Sequence, residues 1–302
     1  MNYTLNQLQV FLKITQTLSV TKAAEELHLT QPAVSIQLKN LQDHFQIPLT
    51  EIVGRKIYIT DFGREIARSA ESILNQVEEI GQKMDAFRGV LSGKLKLSVV
   101  STGAYMMSYF LSPFMKQHPG LELAMDVSTS RRVVENLEHN VADFALLSCL
   151  PPSLTFERLD IVENRLYLVG NGDTKGIKKG QAKKVLKELP LLYREPGSAT
   201  RQFMEEYMKR NGISVQPRME LTSNAAVKEA VMAGLGYSII AEFGMKTELE
   251  NGSLQIISLN GFPLKAMWRL VWLKGKKHSP VASAFLEYMR REKNAVVAKY
   301  FS

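Results

Sequence analysis

Several residue types that support redox or secretory chemistry are nearly missing from this sequence. Cys149 is the single cysteine among 302 residues, so no disulfide can form within the chain, as is usual in a reducing compartment. We expect Cys149 to be a small buried residue beside Leu146 and Leu147. No run of 18 apolar residues occurs, and residues 1–13 do not have the pattern of a signal peptide. The sequence therefore predicts a cytoplasmic protein without a membrane partner.

Catalytic and metal-binding patterns are also lacking. Neither metal-ligand spacing nor a partnered nucleophile is found among the five histidines, His28, His44, His118, His139 and His278. The sequence contains no Gly-x-Ser-x-Gly elbow and no Gly-x-x-x-x-Gly-Lys phosphate loop. An enzyme on an α/β scaffold would need a convergent acid, base or nucleophile. We therefore expect a protein that is not an enzyme and holds no metal and no cofactor.

Positive charge is present but unevenly distributed. The net charge is +8, yet residues 1–92 contain nine Lys and Arg against ten Asp and Glu. Part of the excess lies between Lys175 and Lys187, where six of thirteen residues are lysine, and we expect a solvated helix face there. If the N-terminal part binds nucleic acid, it does so through a few placed cations and a motif, and not through a generally basic surface.

The N-terminal residues have the spacing of two amphipathic helices. Residues 5–17 form the first, whose expected inward positions are Leu5, Leu8, Phe11, Leu12 and Thr15. Ser19 is suited to cap the second helix, because its hydroxyl can accept an unpaired backbone N–H. That helix ends near Leu27, with the small Ala23 and Ala24 on its inward side.

A third helix follows after a turn formed by His28, Leu29 and Thr30. Thr30 is the expected N-cap, and Pro32 lies in the first turn, where a missing N–H costs nothing. The apolar residues continue at spacings of four, three and four, at Val34, Leu38, Leu41 and Phe45. Two helices joined by a three-residue turn, with alanines where they cross, predict a helix-turn-helix.

Several polar residues of this motif are suited to contact DNA. Gln can pair with adenine, Ser with a base edge or phosphate, and Lys with phosphate. Residues 57–60 alternate like a strand after Gly54-Arg55-Lys56, which predicts a β-wing with a cationic tip. Each residue alone is an ordinary surface group, but their order and spacing together are specific. The candidate DNA-binding residues are Ser19, Thr21, Thr30, Gln31, Pro32, Ser35, Gln37, Lys39, Arg55 and Lys56.

An apolar seam runs through residues 62–91. Its members alternate at spacings of four and three residues, which is the 3.5-residue period of a coiled coil. The pattern predicts a long dimerising helix, and the alternative is a helix that packs on its own domain. Gly81 lies in the middle and permits a local bend. The candidate dimerisation residues are Ile66, Ala70, Ile73, Val77, Ile80, Met84 and Phe87.

From Lys94 onward, strand patterns alternate with helix patterns. Strands are expected near residues 94–99, 121–127, 144–147, 166–169, 191–193, 237–240 and 268–273, and a last helix near 281–290. This β–turn–α repetition predicts a mostly parallel sheet flanked by helices.

Hydroxyl residues recur in the turns that lead from strands into helices. Free N–H groups at a helix start favour a small anion, and ligands of open α/β sheets bind at the carboxyl ends of strands. The alternative for each turn is simple N-capping. Arg194 and Arg201 flank one such turn and either add charge to the site or face solvent. The candidate effector-binding residues are Ser101, Thr102, Thr129, Ser148, Ser198, Thr200 and Ser223.

Residues 19–42 resemble the signature of the LysR-type transcriptional regulators. The matching features are a Ser at the start of the second helix, Ala-Ala, Leu, and then Thr-Gln-Pro-Ala-Val-Ser, followed by a later Leu. Gly54-Arg55 and Thr60-Asp61-Phe62-Gly63 also match. The strings Ile52–Tyr58 and Arg194–Ser198 look most like the Calvin-cycle regulator branch. Ile36 departs from the family, which often has Arg there, and Thr50-Glu51-Ile52 replaces the usual Phe-Glu-Arg. Both departures remove a cation, so the resemblance predicts fewer phosphate contacts than usual.

The resemblance implies a fold class, a domain order and three partners. An all-α winged helix-turn-helix would occupy residues 1–61, a linker helix 62–92, and an α/β effector-binding domain 93–302. The last would resemble periplasmic binding proteins, with one lobe near 93–164 and 269–302 and a second near 165–268. The partners would be a double-stranded DNA operator, a small anionic metabolite, and further copies of the chain in a homodimer or homotetramer. The alternative is a solute-binding protein without a regulatory role, which would need an export signal.

Overall fold

The computed structural model describes residues 3–54, 56–87, 91–150, 155–174, 186–187, 189–214 and 217–301, with the backbone alone for Glu79 and residues 82–87. The predictions for Arg55 and for the lysines between residues 175 and 185 lie outside this part, as do those for the side chains of Met84 and Phe87. The chain divides into two units, residues 1–93 with 138–141, and residues 94–137 with 142–302.

Three helices form the N-terminal core: α1 (Leu5–Thr17), α2 (Val20–Glu26) and α3 (Gln31–Gln42). As predicted, the hydroxyls of Ser19 and Thr30 accept backbone N–H groups at the starts of α2 and α3. His28 takes the left-handed φ of 54° that a glycine often provides in this turn. The helix-turn-helix prediction is therefore confirmed at the level of its elements.

The inward face of α1 differs from the predicted one. Val10 and Ile14 are fully buried against Ala23, Ala24 and Val34, whereas Leu5 is largely exposed. Thr15 is half-buried, and its hydroxyl donates to the Leu12 carbonyl. The predicted stripe was rotated because spacing alone does not tell which side of a helix the next two helices will cover.

The wing is a two-stranded antiparallel hairpin of β1 (Thr50–Val53) and β2 (Lys56–Ile59). The second strand was predicted and the first was not. Gly54, at a φ of 55°, begins the tight connection.

Helix α4 (Asp61–Phe87) follows the wing and packs its first turns on α1. Ala67 and Ala70 are buried there with Leu8, Phe11 and Leu41, and Ile66 packs against the same cluster. The start of the predicted dimer seam therefore belongs to the core of its own unit, which was the alternative interpretation for this helix. The remaining described seam residues, Ile73, Val77 and Ile80, are exposed.

The second unit contains a seven-stranded sheet. In order across the sheet its strands are β10 (Leu254–Ile256), β6 (Phe156–Asn171), β11 (Leu264–Leu273), β5 (Phe144–Leu147), β3 (Gly93–Val100) and β4 (Leu121–Ser128), and β9 (Ser238–Ala241) also pairs with β6. A separate parallel pair is formed by β7 (Leu192–Arg194) and β8 (Met219–Leu221).

The prediction of a mostly parallel sheet was wrong. β3 and β5 are parallel, but β6 pairs antiparallel with β9, β10 and β11, and β11 pairs antiparallel with β5. β6 and β11 are long neighbouring strands that run in opposite directions through the unit. Strand polarity depends on these distant pairings, which local alternation of apolar residues does not reveal.

Among the described residues of this unit, the α-helices are α5 (Ser101–Gln117), α6 (Ser130–Glu138), α7 (Ala199–Arg210), α8 (Asn224–Met232), α9 (Lys246–Glu250) and α10 (Pro280–Tyr300). The first lobe packs α5 and α10 together, and the Phe114 and Phe285 rings meet there at 5.2 Å. Two further buried clusters of the second lobe lie around Met204 and Val231. No helix in the described part of the chain is both long and apolar enough to cross a membrane.

Candidate DNA-binding surface and effector cleft

The outward face of α3 is exposed and partly apolar. Val34 and Leu41 are fully buried, so the side chains about half a turn away, at Pro32, Ile36 and Lys39, face outward. Ile36 keeps 56% of its side chain exposed in the middle of this face. Gln31 is exposed at the first position of the helix, and Ser35 and Gln37 are half-buried on its flanks. The helix thus presents amide, hydroxyl and ammonium groups around an isoleucine.

Two of the predicted DNA-binding hydroxyls already hold the helix ends. Ser19 and Thr30 accept the N–H groups of Lys22 and Ala33, so each retains its O–H donor and one acceptor lone pair for DNA. Thr21 is exposed in the first turn of α2, and Lys56 is exposed at the start of β2.

The wing carries an apolar surface that the sequence did not predict. Ile52, Val53 and Tyr58 are among the exposed large apolar residues. The signal for this surface in the sequence is the β-branched pair before Gly54, Ile52 and Val53.

The cleft of the second unit collects the starts of three helices. Ser101, Ala199 and Asn224 are the first residues of α5, α7 and α8. The polar side chains that line the cleft are Thr102, Tyr105, Arg194, Thr200, Asn224 and Lys228. Helix α5 can lie close to β5 and β11 because of Gly103, where a Cβ would stand 2.6 Å from Leu146 Cδ2.

Hydrogen bonds and ion pairs fix these groups. The Asn224 Nδ2 donates to Ser101 Oγ at 3.0 Å, which links α8 of the second lobe to α5 of the first. Lys228 Nζ lies 2.5 Å from Glu248 Oε1. Burial has the largest single effect on the pKa of the Glu248 carboxyl and raises it. The hydrogen bond from Lys228, a backbone hydrogen bond and the charge of Lys228 together outweigh burial, so the pKa lies below its ordinary value.

Free space in the cleft is small. The empty volume is about 450 Å³ when the open mouth is included, but a water-sized sphere can centre in only about 20 Å³ of it. That is room for about one water molecule. A metabolite can enter this cleft only if lining groups or the lobes move.

The predicted effector residues divide into two sets. Thr102 and Thr200 line the cleft, Ser101 accepts a hydrogen bond from the lining residue Asn224, and Ser198 is buried at the N-cap of α7 without a side-chain capping bond. Thr129, Ser148 and Ser223 are not among the lining residues. Thr129 and Ser223 cap α6 and α8, which was the alternative interpretation for these turns, and Ser148 is buried just after β5.

Sequence reasoning did not select Tyr105, Asn224 and Lys228, although Asn224 directly follows the candidate residue Ser223. For Arg194 and Arg201 the sequence permitted two interpretations, a place in the site or a side chain that faces solvent. The structure separates them: Arg194 lines the cleft, and Arg201 is held by Glu205 and Glu220.

Cys149 is half-buried and not fully buried as predicted. Burial raises the pKa of its thiol to about 11, with a further increase from Glu206 and an opposing effect of Arg269. The thiol is therefore protonated at neutral pH and is a poor nucleophile.

A helix-turn-helix joined through a long helix to a two-lobed α/β unit with a polar cleft defines a transcription regulator that carries a sensor domain. Residues 5–64 match the family described as "Bacterial regulatory helix-turn-helix protein, lysR family", and residues 88–294 match the "LysR substrate binding domain". The chain therefore belongs to the LysR family of transcription regulators.

Relatives in this family are similar over nearly the whole chain. The "HTH-type transcriptional activator CmpR" of Synechocystis sp. is 35% identical over 303 residues, covering 99% of both chains. The "RuBisCO operon transcriptional regulator" of Acidithiobacillus ferrooxidans is 34% identical, covering 95% of this chain and 93% of that one. These names confirm the predicted resemblance to the Calvin-cycle regulator branch and the interpretation as a regulator rather than an enzyme or a solute-binding protein.

Two solved structures are similar in fold. The Synechocystis PCC6803 CcmR regulatory domain in complex with 2-PG has a TM-score of 0.62 at 26% identity, covering 70% of this chain and 99% of that chain. The LysR family regulator CbnR has a TM-score of 0.71 at 22% identity, covering 96% of this chain and 99% of that chain, which is a likeness of fold alone.

Proposed function

We propose that a small anionic metabolite, bound in the cleft, modulates the operator binding or the activating function of this regulator. The observation that carries the proposal is the convergence of the N-termini of α5, α7 and α8 on one cleft. Unpaired backbone N–H groups and the helix dipoles make each of these ends attractive to negative charge. A phosphate or carboxylate is therefore the group that fits.

Metabolite control requires contact with both lobes. A ligand shifts a conformational equilibrium only by its differential affinity for the two states. Ser101 and Thr102 come from the first lobe, and Ser198 and Thr200 from the second. An anion held between these hydroxyls would favour a closed arrangement of the lobes.

The CcmR complex suggests 2-phosphoglycolate as the first metabolite to test, since 2-PG is the ligand of that relative. Operator DNA should be titrated with the full chain with and without 2-PG, with ligand binding followed in parallel by calorimetry. We expect 2-PG to bind and to change either the affinity for the operator or the length of the footprint. Thr102→Val and Thr200→Val should lose the response while keeping DNA binding, and Thr129→Val is the matched control outside the cleft. Equal binding by all four proteins would contradict the cleft assignment.

At the DNA end, α3 is proposed to enter the major groove. Gln31 and Ser35 would contact base edges or nearby phosphates, with Gln37 and Lys39 beside them, and Arg55 and Lys56 of the wing would contact the backbone or minor groove. Gln31→Ala should weaken binding to the cognate operator by about 1–3 kcal/mol. Gln16→Ala, an exposed glutamine on α1, should not. Unchanged operator affinity in Gln31→Ala would contradict this docking.

The active form is proposed to be a homodimer or a tetramer built from it. The exposed Ile73, Val77 and Ile80 would form the seam, continued by Met84 and Phe87 according to the sequence pattern. Two-fold symmetry then requires two half-sites separated by one or more helical turns of DNA. We retain residues 1–61, 62–92 and 93–302 as the functional divisions. We also infer a cytoplasmic location, because the operator DNA of a bacterial regulator is there.

A further inference from the structure

Arg194 is the most deeply buried charged side chain at the cleft, with only 5% of its surface exposed. It is the last residue of β7, where strand ends and helix starts meet. Removing a guanidinium from water is costly unless a partner compensates its charge. The partner that compensates the charge of Arg194 therefore indicates which kind of group Arg194 can bind.

The partner is the carboxylate of the next residue. Arg194 Nε donates to Glu195 Oε2 at 2.7 Å, and Arg194 Nη2 donates to Glu195 Oε1 at 2.8 Å. This is a bidentate salt bridge, in which the planar guanidinium binds both oxygens of one carboxylate. The remaining nitrogen, Nη1, donates to Asn224 Oδ1, and Asn224 in turn bonds Ser101. The chain of contacts runs from the Glu195 carboxylate to the first lobe.

Arg201 does not share this role. Its guanidinium donates to Glu205 at 2.7 Å, to Glu220 at 2.5 Å and to the Arg194 carbonyl oxygen at 2.9 Å. It therefore holds the backbone of Arg194 in place. Lys228 is likewise paired, with Glu248 of a neighbouring helix.

Glu195 is attached to an exposed turn. Pro196 and Gly197 follow it on the surface, and Gly197 takes a φ of 87° with no atom near its Cβ position. The Glu195 side chain is 13% exposed, and its backbone N–H donates to the Leu221 carbonyl at 3.2 Å. Release of Arg194 therefore requires only that the Glu195 side chain rotates toward the exposed turn. Phosphate and carboxylate groups offer the same pair of oxygens to an arginine.

We propose that Arg194 is the anion-binding residue of the cleft and that Glu195 occupies it as an internal competitor, which the phosphate or carboxylate of the effector displaces. The proposal rests on the proposed function in one respect, that the cleft is the effector site. It adds an exchange on Arg194: the affinity of the cleft for an anion is set by how strongly Glu195 competes for the guanidinium.

Inorganic phosphate is the probe, because it needs no knowledge of the natural effector. The full chain is titrated with phosphate at constant ionic strength, and its thermal unfolding midpoint is recorded, since a ligand of the folded state raises it. The variants are Glu195→Gln, Arg194→Gln and Arg194→Lys. Glu292→Gln is the matched control, because Glu292 also pairs with the preceding arginine, Arg291 at 2.7 Å, but on the exposed surface of α10. Circular dichroism checks the fold of each variant.

Glu195→Gln should show the same rise in midpoint at about tenfold lower phosphate than the wild type, because a charged competitor has been removed. Arg194→Gln should not respond, Arg194→Lys should respond weakly because it lacks the fork, and Glu292→Gln should match the wild type. If Arg194→Gln does not fold, the comparison of the phosphate responses of Arg194→Lys and Glu195→Gln tests the proposal.

If Glu195→Gln responds to phosphate and the wild type does not, the proposal is also supported, because Glu195 then keeps phosphate from Arg194 in the wild type. Three outcomes would overturn the proposal. Glu195→Gln could respond to phosphate as the wild type does, Arg194→Lys could respond without any loss, or neither the wild type nor Glu195→Gln could respond. The effect of 2-PG on operator binding, measured separately, bears on the proposed function and not on this exchange.

Discussion

Gly63 of α4 lies directly against the backbone carbonyl of Leu49, so closely that a Cβ at residue 63 would stand 2.0 Å from the Leu49 oxygen. The Thr60 hydroxyl completes this junction: it donates to the Pro48 carbonyl at 2.6 Å and accepts the Gly63 N–H at 2.8 Å. The segment before the wing and the start of the long helix are therefore joined through backbone atoms. This junction is the physical reason for the glycine in Thr60-Asp61-Phe62-Gly63.

Gly63→Ala should lower the free energy of unfolding by about 1–3 kcal/mol, because backbone atoms must move to accept the methyl group. Gly81→Ala is the matched control within the same helix. No atom lies within 4 Å of its Cβ position, so alanine should stabilise the helix by about 1 kcal/mol. Urea denaturation of the full chain measures both. Effects of the same sign in the two variants would contradict the close contact at Leu49.

Ile36→Arg should increase the salt dependence of DNA binding. The side chain faces outward from α3 and is more than half exposed, so arginine can extend from it to a phosphate. One added phosphate contact should steepen the slope of log K against log salt by about 0.9 and strengthen binding at low salt. Fluorescence anisotropy with operator DNA at several salt concentrations measures the slope. The same change at an exposed site of α1, Gln16→Arg, should leave it unchanged, and an unchanged slope for Ile36→Arg would place α3 away from the DNA.

Ile80→Asp should dissociate the dimer. Ile80 is 66% exposed in the single chain, and a carboxylate there would be buried without a partner in the seam. Gln76→Asp adds the same charge to an exposed position of the same helix outside the seam and should not have this effect. Sedimentation velocity over a range of concentrations compares them. A dimer of Ile80→Asp as tight as the wild type, with a footprint of normal length, would show that the seam is elsewhere.

Stability should fall in mild acid because of His278. Its ring stacks on Phe144 at 4.8 Å and meets Trp272 at 5.7 Å, and neither nitrogen has a hydrogen-bond partner among the described residues. Burial lowers the pKa of His278 below its ordinary value of 6.5, and Lys276 lowers it further, against the opposing effect of Asp143 and Glu157.

The folded state therefore binds this proton less readily than the unfolded state does. Stability is complete above the unfolded pKa and is lost as the pH falls from there to the folded pKa. We expect the unfolding midpoint of the wild type to decrease between about pH 7 and about pH 5. His278→Leu should reduce that decrease, whereas His44→Gln at an exposed histidine should not. An equal pH dependence in His278→Leu and the wild type would exclude His278 as the cause.

Local features of the fold were predictable from the sequence, and features that depend on distant partners were not. The caps at Ser19 and Thr30 and the start of α3 were predicted correctly, because each depends on the next few residues, whereas the apolar pattern continued to Phe45, beyond the end of the helix at Gln42. Ala70 was assigned to the dimer seam and lies instead beneath α1, because a heptad pattern does not identify which surface covers it. The sequence did not decide whether Arg194 belongs to the site or faces solvent, because only the folded chain brings it beside Asn224.

Strands β6 and β11 pair along their length although they lie about 100 residues apart in the sequence, so β6 must wait for β11 before the sheet of the second unit is complete. Phe156 pairs with Leu273 and Leu166 with Leu264, and Asp160 meets Arg269, 109 residues further along. During synthesis β6 leaves the ribosome long before its central partner exists, and the first lobe lacks a strand until β11 arrives. Such distant pairings slow folding, because a large loop must close before any contact stabilises it. Neither lobe should therefore fold as an independent fragment, and a nascent chain that stops before residue 264 should remain a substrate for chaperones.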